Sequence, residues 1–209
     1  MTENMHPALR GTPAPPLLVV ISGPSGVGKD SVLMRMRELG FPFHFVVTAT
    51  SRAIRPGERA GHDYHFVTKP RFQAMIDDGE LLEWAEVYGH YKGIPKAEIR
   101  QAHQSGRDVI LRIDVQGAAT IRKLAPEAVF IFLAPDNIGE LHNRLRWRRT
   151  ESADDLARRL SLAEHELAQV GAFDYLVINR EDRLDEAVGQ IRAIIVAEKL
   201  RVRPRQVSL

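Results

Sequence analysis

The chain has 209 residues, 44% of them hydrophobic and 27% charged, enough for one sizeable core with small appended lobes. Its 29 lysines and arginines nearly balance 27 acidic residues, and a net charge of +2 argues against nucleic acid as a partner. The absence of cysteine excludes disulfide staples and zinc–thiolate sites, and no apolar run approaches the roughly 18 residues of a membrane span, so the expectation is a cytoplasmic protein with no membrane partner.

Residues 1–16, MTENMHPALRGTPAPP, lack the apolar stretch of a secretory signal and read as a disordered tail. Leu17–Ser22 is apolar without alternation, the mark of a strand buried on both faces of a parallel sheet. Asp30–Leu39 then places Val32, Leu33, Met36 and Leu39 on one helical face, with Gly40 as a stop. His44–Thr50 is a second strand. A Gly- and Pro-rich loop follows as far as Tyr64–Val67, and Pro70–Asp78 predicts a short helix. Leu81–Tyr88 mixes apolar and acidic residues, and Pro95–Gln104 can form a helix.

Asp108–Asp114 is a further buried strand with one arginine inside it, followed by a helix over Ala119–Leu124 and a strand at Val129–Leu133. Asp136 can cap the helix carrying Leu141 and Leu145. Ser152–Asp155 resembles a capping box before a helix that runs to about Gln169. Asp174–Asn179 is the last strand, Leu184–Leu200 a closing amphipathic helix, and residues 201–209 a frayed tail. Strand and helix alternate throughout, which predicts an α/β fold with a central parallel sheet flanked by helices.

Between the first strand and the first helix lies Gly23-Pro24-Ser25-Gly26-Val27-Gly28-Lys29-Asp30, followed by Ser31. Glycine-rich backbone at a helix N-terminus turns N–H groups toward an anion, and the lysine reaches the outer phosphates of a nucleoside triphosphate. These residues, 23–31, are the expected ATP site. Asp30 stands where such loops usually carry a Mg²⁺-ligating hydroxyl. It is either a metal ligand, directly or through water, or a charge that caps the helix; Ser31 is a substitute hydroxyl. Further on, Arg52 and Arg55 lie three apart before a Pro-Gly turn, two guanidinium forks suited to a phosphate dianion, and Tyr64 offers a third donor. Read alone, these arginines fit a solvated basic loop better.

The segments GPSGVGK, TSRAIRPGERAGHDYHFV, MIDDGELLEWAEVYGHYKGIP and LRIDVQGA occur in this order and together resemble guanylate kinase, from about Leu17 to Asn179. The resemblance implies a P-loop kinase that transfers the γ-phosphoryl of ATP to GMP with Mg²⁺, as a monomer or homodimer. It implies a core of 17–46, 95–135 and 170–200, a GMP-binding lobe of 47–94 and a helical lid of 136–169. Arg52, Arg55 and Tyr64 match the family's grip on the GMP phosphate. Glu83 matches the carboxylate that accepts guanine N1–H and N2–H₂, and Thr48 matches a hydroxyl contacting the base. Asp114, at the end of a buried strand, resembles an acid that orients water on Mg²⁺ or helps fix the guanine.

Arg144 and Arg148, in a run of four arginines within six residues, and Arg159 match lid arginines that close over the phosphates, the expected catalysts beside Lys29. Where the family often has a tyrosine and a hydroxyl on the GMP phosphate, this chain has Lys92 and Ile94; Lys92 can supply charge, Ile94 cannot hydrogen-bond. The GKD and YKGIP forms resemble those of plastid-type members. Two competing readings are a ribose 1,5-bisphosphate kinase on the same scaffold and a catalytically inert guanylate-kinase-like interaction module. Glu83 and Arg55 count against the first. Lys29 and the lid arginines count against the second.

Overall fold

A computed structural model describes residues 14–87, 89–146 and 153–207; of 145–146 and 153–159 only the backbone is described. Five parallel strands form the central sheet: β1 (Leu18–Ser22), β2 (His44–Phe45), β7 (Val109–Arg112), β8 (Val129–Ala134) and β9 (Tyr175–Ile178), in the order β2-β7-β1-β8-β9. Alternate side chains of β1 feed two cores. Val19 and Ile21 pack with α1 (Lys29–Glu38) and α7 (Leu184–Lys199) through Val32, Met36 and Ile191. Leu18 and Val20 face the other layer, with Ala102 of α3 (Lys96–Gln104) and Ile121 of α4 (Val115–Leu124). Both faces are covered, which is why β1 shows no polar alternation.

The expected single strand at 44–50 divides instead between two sheets. Val46 N–H still bonds the Ile110 carbonyl at 3.0 Å, whereas the Thr48 carbonyl accepts from His65 N–H at 2.9 Å. Beyond Thr48 the chain belongs to a second sheet, ordered β4-β3-β6-β5, made of β3 (Ala49–Thr50), β4 (His65–Phe66), β5 (Leu81–Val87) and β6 (His90–Pro95). Helix α2 (Lys69–Asp77) starts at Thr68, whose hydroxyl accepts from Arg71 N–H, and closes this lobe with Phe72 and Met75. The Phe72 ring stacks on Tyr91 at 5.3 Å between centroids.

Helix α5 (Ile138–Arg146) is capped by Asn137, not by Asp136: Asn137 Oδ1 accepts from Glu140 N–H at 2.9 Å. The Asp136 carboxylate instead accepts from Arg180 Nε at 3.1 Å. Helix α6 (Ala153–Leu167) runs into a 3₁₀ turn over Ala168–Ala172; the expected capping box at Ser152 lies outside the described residues. The segment read as frayed at the C-terminus is docked as far as 207. Arg205 bonds Glu198 through Nε (2.9 Å) and Nη2 (3.0 Å), and Val207 packs against the second core. Among the described residues no helix is long and apolar enough to cross a membrane.

Candidate active site

The first crossover begins with a backbone that only glycine accommodates. Gly23 has φ +140°, and a Cβ there would lie 2.1 Å from the Leu133 carbonyl oxygen on β8. Gly28, at φ +98°, occupies the cap position of α1 and offers no side-chain acceptor to the first turn. Lys29 lies back across the loop, where its Nζ bonds the carbonyls of Gly23 and of Pro24, the latter at 3.0 Å. Burial lowers its pKa to about 8, against the support of the Glu166 carboxylate.

A cavity of about 680 Å³ opens from this loop and continues into the second sheet. Pro24, Ser25, Gly26, Gly28, Lys29, Asp30 and Ser31 form one wall, so seven of the nine expected ATP-site residues reach it. Gly23 and Val27 sit behind; the Val27 side chain belongs to the core. The opposite wall carries Thr48, Arg52, Arg55, Tyr64, Glu83, Lys92 and Asp114, all of the residues expected to hold GMP.

Arg52 is oriented by Glu58, which accepts from both guanidinium nitrogens at 2.7 and 2.5 Å and also from Arg55 N–H at 2.8 Å. The guanidinium lies over the Tyr64 ring, 4.8 Å from its centroid. Glu83 falls on the buried side of β5 between Leu81 and Val87, while Trp84 and Glu86 face solvent. Its carboxyl group abuts Gly117 of α4, where a Cβ would come within 3.1 Å of Oε1, and among the described residues it makes no hydrogen bond. Burial, then the nearby charge of Asp114, raises the Glu83 pKa to about 8 despite Lys92. Asp114 is the N-cap of α4; its Oδ1 accepts from Gln116 N–H (3.1 Å) and Gly117 N–H (3.0 Å), which fixes the carboxylate at the cavity edge. Ile94 is fully buried in the second core and does not line the cavity, so its side chain is outside the binding question altogether.

The arginines expected in the lid are placed unevenly. Arg144 is not on the cavity wall: it braces the back of the loop, with Nη1 on the Val27 carbonyl (2.9 Å) and Nη2 on the Asn179 carbonyl (2.9 Å) and the Glu140 carboxylate. Asn179 also donates to the Val27 carbonyl at 2.8 Å. Arg148 lies outside the described residues. Position 159 is on α6, one and two turns before Leu162 and Glu166, both of which line the cavity.

The sequence patterns assign no role to Glu58, Arg112, Glu166 or Asn179, four residues whose side chains bond loop or cavity residues. Glu166 reaches from α6 into the phosphate loop, where Oε2 accepts from Ser25 N–H at 2.9 Å. Burial raises its pKa while Lys29 opposes that shift. Arg112 is the arginine of the buried strand, and its guanidinium pairs with Asp30. The Asp30 side chain, 48% exposed, makes no cap hydrogen bond to α1 and is engaged by Arg112 instead. A charged residue inside an apolar parallel strand calls for a counter-charge, and that was the available signal.

Comparison with known proteins places this geometry in a family. The guanylate kinase family model matches residues 16–198. Guanylate kinase 2, chloroplastic/mitochondrial, of Oryza sativa subsp. japonica is 52% identical over 198 residues, covering 94% of this chain and 70% of that protein. The guanylate kinase of Mycobacterium tuberculosis (strain CDC 1551 / Oshkosh) is 47% identical, covering 92% and 93%. The crystal structure of guanylate kinase from Anaplasma phagocytophilum superimposes with a TM-score of 0.74 at 29% identity, covering 90% of this chain and 88% of that one.

Proposed function

The chain belongs to the guanylate kinase family and transfers the γ-phosphoryl of ATP to GMP, giving ADP and GDP, and we propose that the two walls of its cavity divide the work. ATP phosphates lie against the glycine-rich loop and the first turn of α1, along the wall of residues 24–31, with Lys29 alongside. The GMP phosphate lies against Arg52, Arg55 and Tyr64, with Lys92 adding positive charge, and the base lies toward Thr48, Glu83 and Asp114. The observation that carries this reading is the continuity of the cavity. Two anionic substrates fit end to end, one wall each, with their phosphates meeting between Lys29 and Tyr64.

Guanine presents two adjacent donors, which a carboxylate accepts and which adenine lacks. The unpartnered carboxyl of Glu83 is suited to that task, since a buried acceptor left unpaired penalises the wrong base. The donor set fits Mg²⁺ brought in with ATP: among the described residues no cluster of three or more acids and histidines could hold an ion alone, and such ions bind through substrate phosphates, water and one or two carboxylates. Asp114 would hold it through water, with Ser31 as a further oxygen; Asp30 is engaged by Arg112. When bound, the ion neutralises charge on the transferring phosphates.

The segment from 136 to 169 acts as a lid in this reading. Arg148 and Arg159 supply positive charge over the phosphates, and Arg144 acts through the phosphate loop it braces. The reading retains a cytoplasmic enzyme working as a monomer or homodimer. ADP release measured with GMP, AMP, UMP, CMP and ribose 1,5-bisphosphate as acceptors tests it. Turnover with GMP far above the other four is the expected result, and preference for ribose 1,5-bisphosphate or no turnover at all would refute it.

A further inference from the structure

Arg112 is the last residue of β7, opposite Ile21 of β1, with only 8% of its side chain exposed. That register brings its guanidinium to the carboxyl end of the sheet, beside the phosphate loop. There it meets two other segments. Nη1 donates to Asp30 Oδ1 in the first turn of α1; Nη2 donates to the Asp63 carbonyl at 3.0 Å. The guanidinium also lies over the ring of Tyr64, 4.3 Å from the centroid. The Tyr64 ring thereby meets two guanidiniums, Arg112 and Arg52.

We infer that Asp30 and Arg112 form a positioning pair, which fixes the segment carrying Tyr64 against the first turn of the phosphate-loop helix and so sets the spacing between the two substrates. The inference rests on the placement of the GMP phosphate at Arg52, Arg55 and Tyr64. Three features support it. The pair joins the residue next to Lys29 to the residue next to Tyr64, one contact from each substrate wall. A guanidinium this buried cannot remain unpaired without a large penalty, so the two residues are useful only together. As a near-neutral unit they also present no net repulsion to the incoming phosphates, which an isolated Asp30 would do. In-line transfer is sensitive to spacing: a displacement of about 1 Å can lower the rate about a hundredfold.

The test compares steady-state kinetics for each substrate with thermal stability in three variants. Arg112→Lys keeps a charge for Asp30, but one ammonium cannot also hold the Asp63 carbonyl and stack on Tyr64. We expect a near wild-type Tm and KM for ATP, with kcat/KM for GMP lower by at least about tenfold, as for coupled neighbours in one network. Asp30→Asn with Arg112→Met removes both charges. Relative to Asp30→Asn alone it should regain Tm without regaining kcat/KM for GMP. Wild-type kcat/KM for GMP in Arg112→Lys, or joint recovery of Tm and kcat/KM in the double variant, would reduce the pair to a structural contact and overturn the inference. Tyr64→Phe keeps the ring and removes the hydroxyl; an unchanged kcat/KM for GMP there overturns the placement of the GMP phosphate, and the inference with it.

Discussion

Glu83 and Lys29 are both held near a pKa of about 8, by burial acting on opposite charges. Their protonation therefore runs in opposite senses for catalysis. Below pH 8 Glu83 in the free enzyme carries a proton, and the guanine contact proposed for it needs the carboxylate, so GMP binding at neutral pH should release close to one proton. We expect kcat/KM for GMP to rise with pH, about tenfold per unit, and to level off near 8. Lys29 loses its charge over the same region, so kcat/KM for ATP at saturating GMP should fall above about 8. Glu83→Gln should abolish the acid limb alone and erode the preference for GMP over AMP, because one acceptor becomes a donor. A rising limb that survives in Glu83→Gln would place the titration elsewhere. The base-reading role proposed for Glu83 is legible only from its place in a resembling block, since an isolated acid in a strand is usually exposed. Its burial depends on Gly117, more than thirty residues away, and no local pattern carries that.

The elements show where sequence reasoning succeeds and where it stops. The five central strands and the helices over them follow from unbroken apolar runs and 3.6-residue periodicity. The crossover at 46–48 could not be seen, because both sheets bury that stretch and a change of partner leaves no trace in hydropathy. Strand β5 reads as a mixture because one side is solvated and the other holds a buried acid among apolar neighbours. Helix α6 carries the most direct link between element and chemistry. Its Glu166 occupies a loop N–H and supports the proton on Lys29, so a carboxylate stands where ATP brings negative charge. Glu166→Gln keeps the size and removes that charge. The apparent KM for ATP at pH 7 should fall severalfold, as like-charge repulsion is relieved. The alkaline limb assigned to Lys29 should move to lower pH, since its largest supporting charge is gone. An unchanged KM and limb would make Glu166 a packing residue only.

At the scale of the whole molecule the parallel sheet separates function from stability. The carboxyl ends of its strands carry the phosphate loop, Arg112, Asp114 and Asn179, as open α/β sheets do. The amino end of β9 is closed by the C-terminal segment: Arg205 holds Glu198, which is 2% exposed and also accepts from the Tyr175 hydroxyl at 2.6 Å, and reaches the Ala128 carbonyl at 3.2 Å. Hydrogen bonding from Arg205 is the chief reason the Glu198 pKa falls to about 2. Replacing Arg205 by leucine strands a buried carboxylate that keeps Arg201 and Tyr175 as lesser partners. The loss should be about 3 kcal/mol, the lower end for one member of a buried pair. For a chain of this size that lowers Tm by roughly 6–12 °C. Because the folded-state value lies below the ordinary 4.5, this stability is complete above about pH 5 and disappears as pH falls toward 2. The Tm gap between wild type and Arg205→Leu should therefore be widest at neutral pH and narrow in acid, while KM for ATP and GMP at 25 °C stays unchanged. A gap independent of pH would assign the loss to packing of the Arg205 stem, and a shift in either KM would show that the two ends of the sheet are coupled.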